Sequence, residues 1–132
     1  MKGVRAKKHL GQHFLKDANI AKKIVDSLSG HKNYQKLLEI GPGTGVLSDF
    51  LIEKAQYDLL FMDVDQESID YLQNQYPEHK EKIIKEDFLR IDLGRYYSET
   101  FGIIGNFPYN ISSQIFFKVL EYRNQIPEVV GM

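Results

Sequence analysis

Apolar residues recur along this chain in two alternating rhythms. Ile20, Ile24, Val25 and Leu28 share one face of a helix predicted over 18–29, with Asp17 as its cap and Gly30 as its terminator. A short apolar run, Lys36-Leu37-Leu38-Glu39-Ile40, then enters a glycine-rich loop at 41–45. Helical spacing resumes with Leu47, Phe50, Leu51 and Lys54. The alternation continues with a strand over 58–65 and a helix over 66–75 that turns Ile69 and Leu72 inward. A short strand near 82–85, a polar connection over 88–100 and a fourth strand over 101–104 come next. An amphipathic segment over 112–122 follows, with Ile111, Ile115, Val119 and Leu120 on its apolar face and Phe116 and Phe117 expected in the core around it. A fifth strand begins within 126–132. Strands alternating with helices predict an α/β domain, a parallel sheet with helices on both faces.

Composition adds bounds. A chain of 132 residues, 42% hydrophobic and 27% charged, is one ordinary globular domain, short for a complete α/β enzyme. It has no apolar run long enough to cross a membrane and no visible signal peptide. Without cysteine there is no disulfide framework, thiolate zinc site or thiol nucleophile, and a cytoplasmic setting fits. The spacing of His9, His13 and His31 matches no ligand pattern, so no metal site is expected. The net charge of -1 conceals an asymmetry: residues 1–23 hold seven basic side chains against Asp17 alone. The chain therefore divides into a basic arm over 1–16 and an acidic body over 17–132. The arm suits a polyanion such as RNA, with Lys7 and Lys8 as contacts; a solvated tail is the alternative.

The chemistry gathers at strand ends. Gly41-Pro42-Gly43-Thr44-Gly45, between a strand and a helix, lets a ligand approach the main chain closely, although a tight structural turn has the same glycines. The Gly-Lys-Ser/Thr ending of a P-loop is missing. Glu39 before the loop disfavours a pyrophosphate and favours a cationic ligand, which points to S-adenosylmethionine over NAD. Asp63, about twenty residues beyond the glycines, is placed to hold a ribose diol, while Asp65 reads as a helix cap. Asp87 can accept from an adenine amino group with Phe88 packed beside the purine, or be a plain loop acid. Past the fourth strand, Asn106-Phe107-Pro108-Tyr109-Asn110 forms a stiff lip at the end of the sheet where open α/β folds bind ligands. Asn106 offers an acceptor and a donor, Pro108 stiffens the turn, and Tyr109 offers a ring on which a base can stack.

With these motifs in this order, the chain resembles class I adenine-N6 methyltransferases, whose Rossmann-like sheet matches the α/β pattern. The lead-in Gly11-Gln12-His13-Phe14-Leu15, the loop Glu39-Ile40-Gly41-Pro42-Gly43-Thr44-Gly45 and Asn106-Phe107-Pro108-Tyr109-Asn110-Ile111-Ser112-Ser113 resemble the small-subunit ribosomal RNA adenine dimethyltransferases. The resemblance implies S-adenosylmethionine as cofactor, with His13 and Leu15 flanking its methionine end and Gly41 and Gly43 lining it. Asp63 then holds the ribose, Asp87 reads the adenine, and Asn106 reaches the reacting centre. It also implies Asn106, Pro108 and Tyr109 as catalytic residues, and immature small-subunit RNA as partner. Three positions depart from the common pattern: His13 for Asn, Asp63 for Glu and Phe107 for Leu. The family sheet has seven strands in the order 3-2-1-4-5-7-6 and a C-terminal helical domain. A chain ending near strand five is therefore expected to be the cofactor half, with little activity alone and an open edge at Val129 and Val130 that invites self-association. The alternatives are a non-catalytic RNA-binding assembly module and a DNA adenine methylase.

Overall fold

The computed structural model describes residues 18–107 and 109–131. Five strands, β1 (Lys36–Ile40), β2 (Asp58–Asp63), β3 (Ile83–Lys85), β4 (Phe101–Gly105) and β5 (Val129–Gly131), form one sheet in the order β3-β2-β1-β4-β5. Every pairing is parallel, with Leu38 opposite Leu60 on one side and Ile103 on the other. Four helices, α1 (Ala18–Asp26), α2 (Val46–Lys54), α3 (Gln66–Gln75) and α4 (Tyr109–Glu121), accompany them. The α/β expectation and the first five positions of the expected strand order hold. The order reverses between β1 and β4, which opens a crevice at their carboxyl ends.

The strand period of two sorts the core into two layers. Leu37, Leu59, Phe61 and Ile104 pack with α1, α2 and α3 on one face. Leu38, Ile40, Met62, Phe101 and Ile103 pack with Ile115 of α4 and with Phe88, Leu93 and Tyr97 from the connection before β4 on the other. That connection, polar in sequence, contains a short 3-10 helix (Leu93–Arg95) whose cap, Asp92, accepts from the Gly94 N–H.

Three differences from the sequence expectation have physical causes. Helix α1 stops at Asp26 rather than near 29, as the chain tightens to bonds three residues back, with the Leu28 N–H donating to the Val25 carbonyl at 3.1 Å. Beyond it, the Ser29 and Gly30 N–H groups donate to the carboxylate of Glu128, far along the chain. Strand β2 ends at Asp63, and Asp65 caps α3 by accepting from the Ser68 N–H at 2.9 Å. Phe116, Phe117 and Leu120 are not core residues; they are 49, 68 and 54% exposed. Helix α4 is rotated so that Ile115 and Lys118 are buried, flanked by partly buried Ile111 and Tyr122 one helical period away on either side. A lysine can lie on that face because two main-chain carbonyls receive its ammonium.

Candidate active site

The crevice is built from the ends of the central strands. Leaving β1, the Gly41 N–H donates to the Met62 carbonyl at 2.8 Å, which ties the loop to the end of β2. Gly41 has φ 65°, and a Cβ there would meet nothing within 4 Å, so the main chain stands open to whatever fills the space. Gly45 does the opposite. Its φ is 85°, and a Cβ would lie 2.8 Å from Leu72 Cδ2, so the bare glycine seats the start of α2 on α3.

Asp63 joins loop and strand. One of its oxygens accepts from the Gly43 N–H at 3.1 Å and the other from the Asp65 N–H at 3.0 Å. It is 6% exposed, and burial raises its carboxyl above the ordinary range against the lowering effect of those donors. Asp87 opens the turn after β3: its Oδ1 accepts from the Leu89 N–H at 3.0 Å, and its carbonyl accepts from the Arg90 and Ile91 N–H groups. Asn106, 7% exposed, follows β4 directly.

Gly41, Asp63, Asp87 and Asn106 line one cavity of about 220 Å³. The structure thus brings together four of the residues singled out from sequence, from the carboxyl ends of four separate strands. Gly43 does not line the cavity, and its N–H is directed to Asp63. Tyr109 opens α4 and is 89% exposed, beside the cavity rather than in its wall. Lys7, Lys8, His13, Leu15 and Pro108 lie outside the described residues.

Glu39 requires a correction. Its side chain does not reach the cavity but passes to the opposite face of the sheet, where it is 1% exposed and accepts from Ser48 Oγ at 2.5 Å. Burial, with Asp63 and Asp49 adding to it, pushes its carboxyl up to about 8. The electrostatic preference for a cation comes instead from Asp63, Asp87 and Glu86, which all line the cavity and disfavour phosphate.

Other lining residues were missed. Val64, 58% exposed at the rim, faces the same space as buried Phe88, and Ile111 from α4 closes it. Val64 could have been found as the single apolar residue between two acids where β2 ends. Asn110 stood in the lip read from sequence but without a role, and Leu89 carried no signal. Flat apolar walls between hydrogen-bond acceptors suit a planar heterocycle bearing an amino group, linked to a hydroxylated, cationic remainder.

Comparison with known proteins shows the family of the chain. The sequence model of a family described as "Ribosomal RNA adenine dimethylase" matches residues 3–132. Proteins called Ribosomal RNA small subunit methyltransferase A are 56% identical over the whole chain in Cytophaga hutchinsonii and in Flavobacterium johnsoniae. The chain covers 51% and 50% of their lengths, so it spans about half of the curated relatives it matches. Among solved structures, the 23S rRNA methyltransferase ErmE superposes with a TM-score of 0.68 at 24% identity, over 84% of this chain and 43% of that one. The plantazolicin methyltransferase BpumL, in complex with SAH, superposes with a TM-score of 0.53 at 13% identity, over 92% of this chain and 49% of that one. These two likenesses concern the fold, while the full-length match carries the kinship: the chain belongs to the ribosomal RNA adenine dimethylase family.

Proposed function

We propose that this chain is the cofactor-binding part of an S-adenosylmethionine-dependent enzyme that dimethylates adenine N6 in small-subunit ribosomal RNA. The observation that carries this is the convergence of Gly41, Asp63, Asp87 and Asn106 on one cavity at the crevice between β1 and β4. The residues fit the cofactor. Each Asp63 oxygen uses one lone pair on a backbone N–H and keeps another for a ribose hydroxyl. Asp87 presents Oδ2, which also pairs with the exposed Arg90 Nε at 3.5 Å, to the adenine amino group, since Oδ1 is occupied by its own turn. Val64 and Phe88 provide the apolar walls for the purine. Outside the described residues, His13 and Leu15 are assigned to the methionine end.

When bound, the cofactor supplies an electrophilic methyl group on a sulfonium. The protein must make the target nitrogen able to take it. An adenine N6 lone pair is delocalised into the ring, so acceptors that draw on its hydrogens favour the pyramidal, nucleophilic form. The Asn106 side-chain oxygen and a main-chain carbonyl at 107 or 108 take that role. The exposed Tyr109 ring stacks the target base, an interaction of about 1 to 3 kcal/mol. Positioning and fixed dipoles carry the reaction.

Lys7 and Lys8 in the arm over 1–16 contact RNA phosphates, the body over 17–132 holds the cofactor, and the partner is the immature small subunit in the cytoplasm. No helix among the described residues is long and apolar enough to cross a membrane. In isolation the chain self-associates through β5, which pairs only with β4 among the described residues.

Calorimetry tests the cofactor assignment. The chain is expected to bind S-adenosylmethionine and S-adenosylhomocysteine and not NAD; tight NAD binding without binding of the methyl donor overturns it. Radiolabelled methyl transfer to immature small-subunit RNA by a full-length relative, lost in its equivalent of Asn106→Ala, tests the reaction.

A further inference from the structure

The buried lysine of α4 lies where the hydrophobic pattern calls for an apolar side chain. Lys118 is 8% exposed, and burial pulls its ammonium below the ordinary lysine range. Its Nζ donates to the carbonyls of Phe88 and Ile91 and lies 5.1 Å from the centre of the Phe88 ring. Residues 87–91 form a single turn. Asp87 caps its amino end, both through Oδ1 and through the carbonyl that receives the Arg90 and Ile91 N–H groups. Carbonyls of the same turn that its own backbone cannot satisfy meet the Lys118 ammonium. The turn is thus held by a carboxylate at one end and an ammonium at the other.

We propose that Lys118 is a positioning residue for the active site: it fixes the turn that carries Asp87, Phe88 and Leu89 to the helix that carries Asn110 and Ile111, so that the two walls of the cavity move as one. This rests on the cofactor assignment above for its functional meaning and on hydrogen bonds alone for its mechanics. Asp87 has one oxygen committed to the turn and the other 3.5 Å from Arg90 Nε of the same turn, so the direction of its carboxylate depends on the turn being held. A hydrophobic residue at 118 would fill the same space and leave one buried and one partly buried carbonyl without this donor.

The test compares Lys118→Met, which keeps the stem and removes the donors, with Lys118→Arg, which keeps donors and charge. Hydrogen exchange without ligand reads the mechanics. The Leu89, Arg90 and Ile91 amides should lose protection by about tenfold or more in Lys118→Met, with Leu38 and Ile103 in the sheet unchanged. Affinity for S-adenosylhomocysteine should fall by about tenfold in the same variant, and Lys118→Arg should recover part of both. Unchanged protection of the turn overturns the proposal. So does a uniform loss across turn and sheet, which would make Lys118 merely structural. A wild-type chain that binds no S-adenosylhomocysteine, with protection lost only at the turn of Lys118→Met, upholds the role of Lys118 and overturns the cofactor assignment instead.

Discussion

Glu39 gives the most exacting test of the electrostatics beneath the glycine loop. It is the largest fully buried ionisable side chain in the sheet, and among the described residues its one hydrogen bond is accepted from Ser48 Oγ at 2.5 Å. Its carboxyl moves from an ordinary value near 4.5 to about 8 on folding, chiefly through loss of water. A folded-state value above the unfolded one means that the folded chain keeps a proton the unfolded chain has released. The associated stability is fully present below pH 4.5, declines through the interval, and is gone above pH 8. At about 1.4 kcal/mol per unit, the total decline is about 5 kcal/mol, a large part of the 5 to 15 kcal/mol typical of a domain.

Glu39→Gln isolates this effect, since the amide keeps an acceptor for Ser48 and stays neutral at every pH. Urea denaturation at pH 5, 7 and 9 is the assay. The variant should match the wild type within about 1 kcal/mol at pH 5 and exceed it by about 4 to 5 kcal/mol at pH 9, with unchanged m. Other titrating groups, Asp63 included, are common to both proteins and cancel to first order. Parallel pH profiles for the two chains would refute the assignment of a bound proton to Glu39.

Asp63→Ala leaves the Gly43 and Asp65 N–H groups without their acceptor; a loss of about 1 to 3 kcal/mol in denaturant stability is expected, with at least tenfold weaker S-adenosylhomocysteine binding by calorimetry. Tyr109→Ala should leave stability within about 0.5 kcal/mol, because the ring is 89% exposed, yet the equivalent change in a full-length relative should slow methyl transfer to RNA about 5- to 150-fold, matching lost stacking. Gly102→Ala places a Cβ 2.5 Å from the Tyr34 ring, so thermal unfolding should show a loss of about 1 to 3 kcal/mol. Val130→Lys on the β5 edge should shift the wild-type chain from associated species toward monomer in sedimentation velocity; a wild-type monomer at high concentration would sink the edge-pairing proposal.

What was legible in the sequence depended on whether a residue's environment is local. The strands around Leu37 and Ile103 and the cap at Asp65 follow from runs, periods and short-range hydrogen bonds, and the structure reproduces them. The cavity was legible for the same reason, since Gly41, Asp63, Asp87 and Asn106 each sit at the end of a strand whose position the α/β pattern sets. Glu39, Glu128 and Lys118 were misread or passed over because their partners are supplied by the fold. Glu39 stands beside the loop in sequence, but the strand's alternation sends it to the face opposite Leu38 and Ile40, where α2 brings Ser48. Glu128 ties down the chain beyond α1, accepting from the Ser29 N–H nearly a hundred residues away. Lys118 breaks the apolar phase of its helix and so displaces the reading of Phe116, Phe117 and Leu120 from surface to core. All three are ionisable side chains whose partners are brought to them by the fold, and two of them brace elements that line the cavity. In this domain the polar residues that violate the hydrophobic pattern are therefore where the geometry of the site is set, and those positions are the ones to mutate first.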